Sequence, residues 1–216
     1  MSDSLFRVLE ILALSSNCFR LRVERKGFVF TSGQCVNIGL PKSGVNREYS
    51  TYSGEQESDH MDFLIRRVEG GSVSPAITRL KAGDFVEIHG AYGSFTLPPD
   101  FQKRAFTFIA TGTGIAPFHS FVKSHPGLDY RILHGIREKD EMYEVADYEK
   151  GRYVSCVSRT LGGDFHGRVT DYLKQHPIDP ARTYFLCGNR AMINEVYDLL
   201  RSQGVNGDRL FTEVFF

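Results

Sequence analysis

The sequence is short of several features that would assign it quickly. Its four cysteines, Cys18, Cys35, Cys156 and Cys187, are scattered, so neither a zinc site nor a cysteine-held iron–sulfur cluster has the spacing it needs. Three of the four read as buried free thiols in a reducing compartment. There is no excess of charge: 26 basic and 26 acidic residues cancel, which argues against a general nucleic-acid or membrane-surface binder. No apolar run approaches the roughly 18 residues of a membrane span. The N-terminus lacks the charged segment and long apolar run of a secretory signal. A cytoplasmic protein with no membrane or nucleic-acid partner is the expectation. Repeats, low-complexity tracts and blocks of like charge are also missing. No Ser-His-Asp or metal-ligand cluster is visible, and His119, His125, His134 and His166 read as surface or packing residues.

What is present divides the 216 residues into two halves. Over residues 1–96, short strand-like runs alternate with Gly, Pro, Ser or Asp. Phe19, Leu21 and Val23 alternate with Arg20, Arg22 and Glu24, the pattern of a half-buried strand. Residues 28–30, 34–38, 63–68 and 85–89 read as further strands, and many short strands predict a small antiparallel barrel. One helix is expected there, with Ser74 as N-cap, Pro75 in the first position and Gly83 past its end. The paired prolines of residues 96–100 predict a linker, with domains over 1–97 and 98–216. After it, strands are expected at 105–110, 130–135, 152–158, 183–187 and 210–214. Helices are expected at about 115–124, 139–149, 167–175 and 190–203. Alternating strand and helix predicts a five-stranded parallel sheet of α/β type.

Four motifs stand out. In Arg47-Glu48-Tyr49-Ser50, Arg47 and Tyr49 share a strand face: an arginine fork suits a pyrophosphate, and a tyrosine ring can lie flat on an aromatic cofactor. Gly70-Gly71-Ser72-Val73-Ser74 opens a helix, and glycines let backbone N–H groups approach a phosphate. Thr111-Gly112-Thr113-Gly114-Ile115-Ala116-Pro117 follows a strand and opens a helix, the context of a dinucleotide-type loop, although it is not a full G-x-G-x-x-G. Cys187-Gly188-Asn189-Arg190-Ala191-Met192 ends a strand near the C-terminus.

In this order the motifs resemble the ferredoxin–NADP(+) reductase family of flavoproteins, from about Phe6 to Phe216. The family usually has a small or proline residue where Glu48 stands. The resemblance implies that an antiparallel barrel binds FAD and an α/β domain binds NADPH. Arg47, Tyr49 and Ser50 would hold FAD, with Ser50 at flavin N5. Gly71, Ser72, Val73 and Ser74 would take its pyrophosphate, and the strand carrying Ile65 and Arg66 would run along the flavin. Thr111, Gly112, Thr113 and Gly114 would take the nicotinamide nucleotide's pyrophosphate. Ser158, Arg159 and Arg168 would take a 2′-phosphate, although Asp164 in the same loop is the kind of residue that serves a free ribose hydroxyl. Cys187 would pack against nicotinamide C4, with Gly188 and Met192 beside it. Glu213 would relay protons, and either Phe215 or Phe216 would stack on the flavin. Ser50, Cys187 and Glu213 are thus the catalytic set and no metal is expected. The implied reaction passes a hydride from NADPH to FAD, and then single electrons to ferredoxin or flavodoxin, by a monomer. A reductase component of an oxygenase or cytochrome system, or a non-catalytic flavin electron-transfer subunit, is the alternative. An acidic ferredoxin would dock on a basic patch. Arg20, Arg22, Arg25 and Lys26 form the densest basic stretch, and a solvated strand face fits it equally.

Overall fold

A computed structural model describes residues 4–215. Phe216, one of the two expected stacking rings, lies outside them. The chain falls into two compact units. The first holds the residues up to Leu97 together with Ala116–Pro126, and the second holds Pro98–Ile115 and everything from Gly127 onward.

The first unit is built on six strands: β1 (Leu5–Ala13), β2 (Cys18–Glu24), β3 (Cys35–Gly39), β4 (Asn46–Ser50), β5 (His60–Arg66) and β6 (Phe85–Tyr92). They pair antiparallel in the order β4-β3-β6-β1-β2-β5, and a bridge between Thr51 and Phe63 joins the two outer strands into a barrel. Alternate residues point inward, so Phe6, Val8, Leu21, Val23, Val36, Ile38, Met61, Phe63, Ile65, Val86 and Ile88 form the core. Residues 28–30 do not form the expected strand. Phe28 stands edge-on to Phe6 at 5.6 Å, Phe30 is buried under Arg25 and Val29 is exposed. The alternation is real, but no neighbouring strand supplies a ladder.

A single turn of helix, α1 (Ser74–Ile77), adds Ile77 to this core, and Val73, just before it, joins as well. Ser74 is its first residue and not its N-cap. Its hydroxyl accepts the Val68 N–H at 3.1 Å, and Val73 takes the cap position without a side-chain bond. Gly83 instead sits in the turn before β6, at φ +97°.

The second unit is a wholly parallel sheet of β7 (Ala105–Thr111), β8 (Asp129–Ile136), β9 (Tyr153–Val157), β10 (Phe165–His166), β11 (Thr183–Gly188) and β12 (Leu210–Val214). The order is β10-β9-β8-β7-β11-β12. The two-residue β10 is a sixth strand, too short to show in a sequence pattern. Helices α3 (Val169–Gln175) and α4 (Arg190–Ser202) bring Val169, Leu173, Ile193, Val196 and Leu200 onto Ile109, Leu133 and Leu186. Helix α2 (Ala116–Ser124) follows β7 in sequence but packs with the barrel unit. There the His119 ring stacks on Tyr52 at 3.8 Å and Ser120 donates to the Ser53 carbonyl at 2.8 Å.

The helix expected over 139–149 is absent. The segment makes two 3₁₀ turns, Lys139–Glu141 and Val145–Asp147, separated by Glu144 at φ 43°. Tyr143 and Tyr148 are both buried. Five residues apart, they would point to different sides of a helix, and burying both requires the break. No described helix is long and apolar enough to cross a membrane.

Candidate functional site

In the first unit the expected residues line up along β4, β5 and the turn before α1. Tyr49 packs its ring against the barrel core, and burial pushes its hydroxyl up to about 12, with Arg47 opposing weakly. Arg47, two residues back on the same strand, is exposed, and its guanidinium donates to the Asn46 carbonyl. Ser50 is buried where β4 ends. Ile65 faces the core and the next residue, Arg66, is exposed. Gly71 closes a turn by donating to the Val68 carbonyl at 3.0 Å. Among the described residues, no acceptor meets the N–H groups of Ser72, Val73 or Ser74, and Pro75 has none.

The basic stretch of β2 behaves differently. Arg20 pairs with Glu10 at 2.7 Å and Arg22 grips both oxygens of Asp62 at 2.8 Å. Arg25 is buried and donates to the Phe28 and Glu57 carbonyls, while Lys26 reaches the Leu5 carbonyl. These cations are engaged internally, so the stretch is not an open docking patch. Arg47, Arg66, Arg159 and Arg168 are exposed, and none pairs with a carboxylate among the described residues.

In the second unit the sheet order reverses at β7. The connection after β7 leads to β8 on one side, and β11 lies on the other. The carboxyl ends of two such strands form the crevice where open α/β sheets bind ligands. Here these ends are Thr111–Gly114 and Cys187–Asn189, and they are bonded together. The Thr111 hydroxyl accepts from the backbone N–H of Asn189 at 3.0 Å and from its side-chain amide at 3.1 Å. Asn189 also caps α4 by accepting from the Met192 N–H at 2.9 Å. A Cβ on Gly114 would stand 2.4 Å from the Cys187 carbonyl, and one on Gly188, at φ +138°, would stand 2.1 Å from the Thr111 hydroxyl. Only glycine lets the two loops approach this closely.

Cys187 is fully buried, and burial holds its thiol protonated, with Glu213 adding to the effect. Its sulfur lies 4.0 Å from the Glu213 carboxylate on the neighbouring strand. Met192 is buried in the core under α4. Phe215 is partly buried and its N–H donates to the Gly188 carbonyl at 2.7 Å.

Arg159 and Arg168 flank the loop that leaves β9. The Ser158 hydroxyl donates to the Ile136 carbonyl, and Arg168 stands at the start of α3, where its N–H donates to Asp171. Asp164, the acid of this loop, is turned back onto β9. One of its oxygens accepts from Ser155 N–H at 2.8 Å and from Ser155 hydroxyl at 2.7 Å. Asn189 and Asp164 thus tie the loops in ways the motifs did not show. An asparagine between a strand-ending glycine and a helix is a legible N-cap signal. The Ser155–Asp164 bond joins residues nine apart and leaves no local pattern.

The donors present suit dinucleotides. Each unit offers exposed guanidinium groups that pair with no carboxylate among the described residues, together with a glycine-bearing loop. The matches to known proteins agree. Residues 7–97 match the oxidoreductase FAD-binding domain and residues 108–198 the oxidoreductase NAD-binding domain. A ferredoxin–NADP reductase B of Sorangium cellulosum is 33% identical over 206 residues, covering 84% of this chain and 83% of that protein. The reductase component of a propane 2-monooxygenase of Mycolicibacterium smegmatis is 28% identical over 216 residues, covering 89% of this chain and 61% of that protein. This chain therefore spans about three fifths of that relative's length. The crystal structure of an Amycolatopsis cytochrome P450 reductase superposes with a TM-score of 0.87 at 26% identity, over 97% of this chain and 68% of that one. On the combined evidence of sheet order, paired loops and these matches, the chain belongs to the ferredoxin–NADP(+) reductase family of flavoprotein oxidoreductases, with FAD-binding and NAD(P)-binding domains.

Proposed function

We propose that this protein oxidises NADPH through bound FAD and passes the electrons singly to a separate ferredoxin or flavodoxin. The carrying observation is the bonded pair of loops at the sheet's reversal point, with Thr111 held by Asn189 and Gly114 seated against Cys187. Bound FAD supplies a ring that takes up two electrons and releases them one at a time. The chain supplies binding and orientation. Arg47 and the N–H groups of Ser72–Ser74 would hold the FAD pyrophosphate, Tyr49 would stack on the flavin, and the strand carrying Ile65 and Arg66 would run along it. Ser50 would supply a hydroxyl to flavin N5. Thr111–Gly114 would hold the pyrophosphate of the nicotinamide nucleotide, and Gly188 would border the nicotinamide with Met192 packed behind it in the core. Cys187, kept as a neutral thiol by burial, would pack against C4 without competing as a nucleophile. Glu213 carries the proton. A C-terminal phenyl, as the family resemblance implies, would be the ring that nicotinamide displaces; of the two candidates only Phe215 lies among the described residues.

NADPH is favoured over NADH by two exposed arginines, Arg159 and Arg168, beside the β9 loop, whose acid Asp164 is held by Ser155. A second reading is a reductase component that serves an oxygenase or cytochrome. It is favoured by the internal pairing of Arg20, Arg22 and Arg25, which removes the densest basic stretch as a dock for an acidic carrier. The test is NADPH-driven reduction of a dye and of cytochrome c by the purified protein, with and without added ferredoxin. Cytochrome c reduction that depends on ferredoxin supports the first reading. Dye reduction that ferredoxin cannot couple to cytochrome c points to the second.

A further inference from the structure

His134, on β8, is fully buried and has no part in the chemistry above. Its Nε2 lies 2.8 Å from the Gly112 carbonyl and its Nδ1 lies 2.8 Å from the Tyr153 hydroxyl. A carbonyl can only accept, so Nε2 carries the ring proton and Nδ1 accepts from Tyr153; this tautomer is assigned from the hydrogen-bond network. Burial pushes the ring's pKa down to about 4, so it stays neutral and keeps this arrangement at ordinary pH. The two 3₁₀ turns between β8 and β9 provide its walls. Tyr143 stands 5.8 Å from the His134 ring, and Tyr153 stacks on Tyr148 at 5.3 Å.

The Gly112 carbonyl belongs to the peptide that ends in the Thr113 N–H. That peptide is trans, and in a planar trans peptide the carbonyl and the following N–H point in opposite directions. Drawing the carbonyl onto His134 therefore turns the Thr113 N–H away from the buried ring. Gly112, at φ +54°, has the backbone freedom to let this peptide rotate. A rotated peptide would present a carbonyl oxygen where an anion needs a donor.

We propose that His134 is a positioning residue for the nicotinamide nucleotide: its hydrogen bond to Gly112 aims the Thr113 N–H at the pyrophosphate. This rests on the reading of Thr111–Gly114 as the pyrophosphate loop. The experiment is a calorimetric titration of NADP(+) into the FAD-loaded protein, for wild type, His134→Leu, His134→Gln and Tyr153→Phe, with FAD content measured for each. The loss of one neutral hydrogen bond is expected to weaken NADP(+) roughly five- to tenfold in His134→Leu. His134→Gln keeps a donor near the Nε2 position and should recover most of the loss. Tyr153→Phe, which removes only the partner of Nδ1, should weaken binding about twofold to threefold, and it carries the test if the leucine variant does not fold. FAD content should be the same throughout. Wild-type affinity in His134→Leu, glutamine no better than leucine, wild-type affinity in Tyr153→Phe, or a parallel loss of FAD would each overturn the proposal. A wild-type protein that binds FAD but no NADP(+) would overturn the loop reading itself, and the proposal with it.

Discussion

Thr111 and Asn189, 78 residues apart in sequence, are joined by two hydrogen bonds into a single threonine oxygen. The bonds fasten the end of the sheet's central strand to the end of its neighbour. Thr111→Val keeps the shape and removes the acceptor. Asn189 is exposed, so its donors can turn to water and the cost in stability should stay below about 1 kcal/mol. The loops should separate, and NADP(+) affinity should fall roughly fivefold while FAD is retained. A thermal melt and an NADP(+) titration on the same sample check both; unchanged affinity would mean that the pairing does not shape the site.

Gly114→Ala should be more severe. Its Cβ would meet the Cys187 carbonyl at 2.4 Å, and backbone cannot swing aside as a side chain does. Overpacking of this kind costs about 1–3 kcal/mol. The variant should unfold at lower denaturant and bind NADP(+) poorly, with FAD still bound to the barrel. An alanine protein with normal nucleotide affinity would contradict the close approach.

His134 predicts a pH dependence of stability. Its folded pKa is about 4, below the ordinary value of 6.5, because burial disfavours the charged ring. Between those values the unfolded chain binds the proton more readily, so acid favours unfolding. This component is constant above about pH 6.5 and is lost as pH falls to about 4, by up to roughly 3 kcal/mol. Denaturant melts of wild type and His134→Gln across this range isolate it, since other groups titrate in both. The wild-type curve should be the steeper, and parallel curves would contradict the assignment.

Arg159→Ala should lower NADPH efficiency about tenfold to a hundredfold, the value of a charged hydrogen bond at roughly 1.5–3 kcal/mol, and leave NADH nearly unaffected. Steady-state kinetics with both nucleotides provide the check. Equal losses would show that Arg159 does not read the 2′-phosphate.

Where side-chain alternation coincided with a paired strand, the fold was legible. Leu210–Val214 lies where its apolar run placed it, and α2, α3 and α4 lie close to their expected bounds. The long strand β1 was not picked out, because a register shift between Val8 and Glu10 breaks its alternation. Residues 28–30 failed the opposite way, with alternation but no partner. The 139–149 segment carries helix-forming residues, but burial of Tyr143 and Tyr148 around His134 and Tyr153 outweighed their propensity. At the candidate site, local motifs exposed the glycine loops and the strand that carries Arg47 and Tyr49. The bonds that fix those loops, from Asn189 to Thr111, from His134 to Gly112 and from Ser155 to Asp164, join residues 78, 22 and nine apart, and no spacing rule reports them.

The most direct test of the whole account is anaerobic mixing of the FAD-loaded protein with NADPH, followed by flavin absorbance in a stopped-flow instrument, for wild type and Ser50→Ala. The account predicts rapid bleaching in wild type, and a rate lower by ~10²-fold in Ser50→Ala with FAD still bound, since a hydroxyl at N5 assists only in the transition state. A flavin that neither NADPH nor NADH can bleach in the wild-type protein would contradict it.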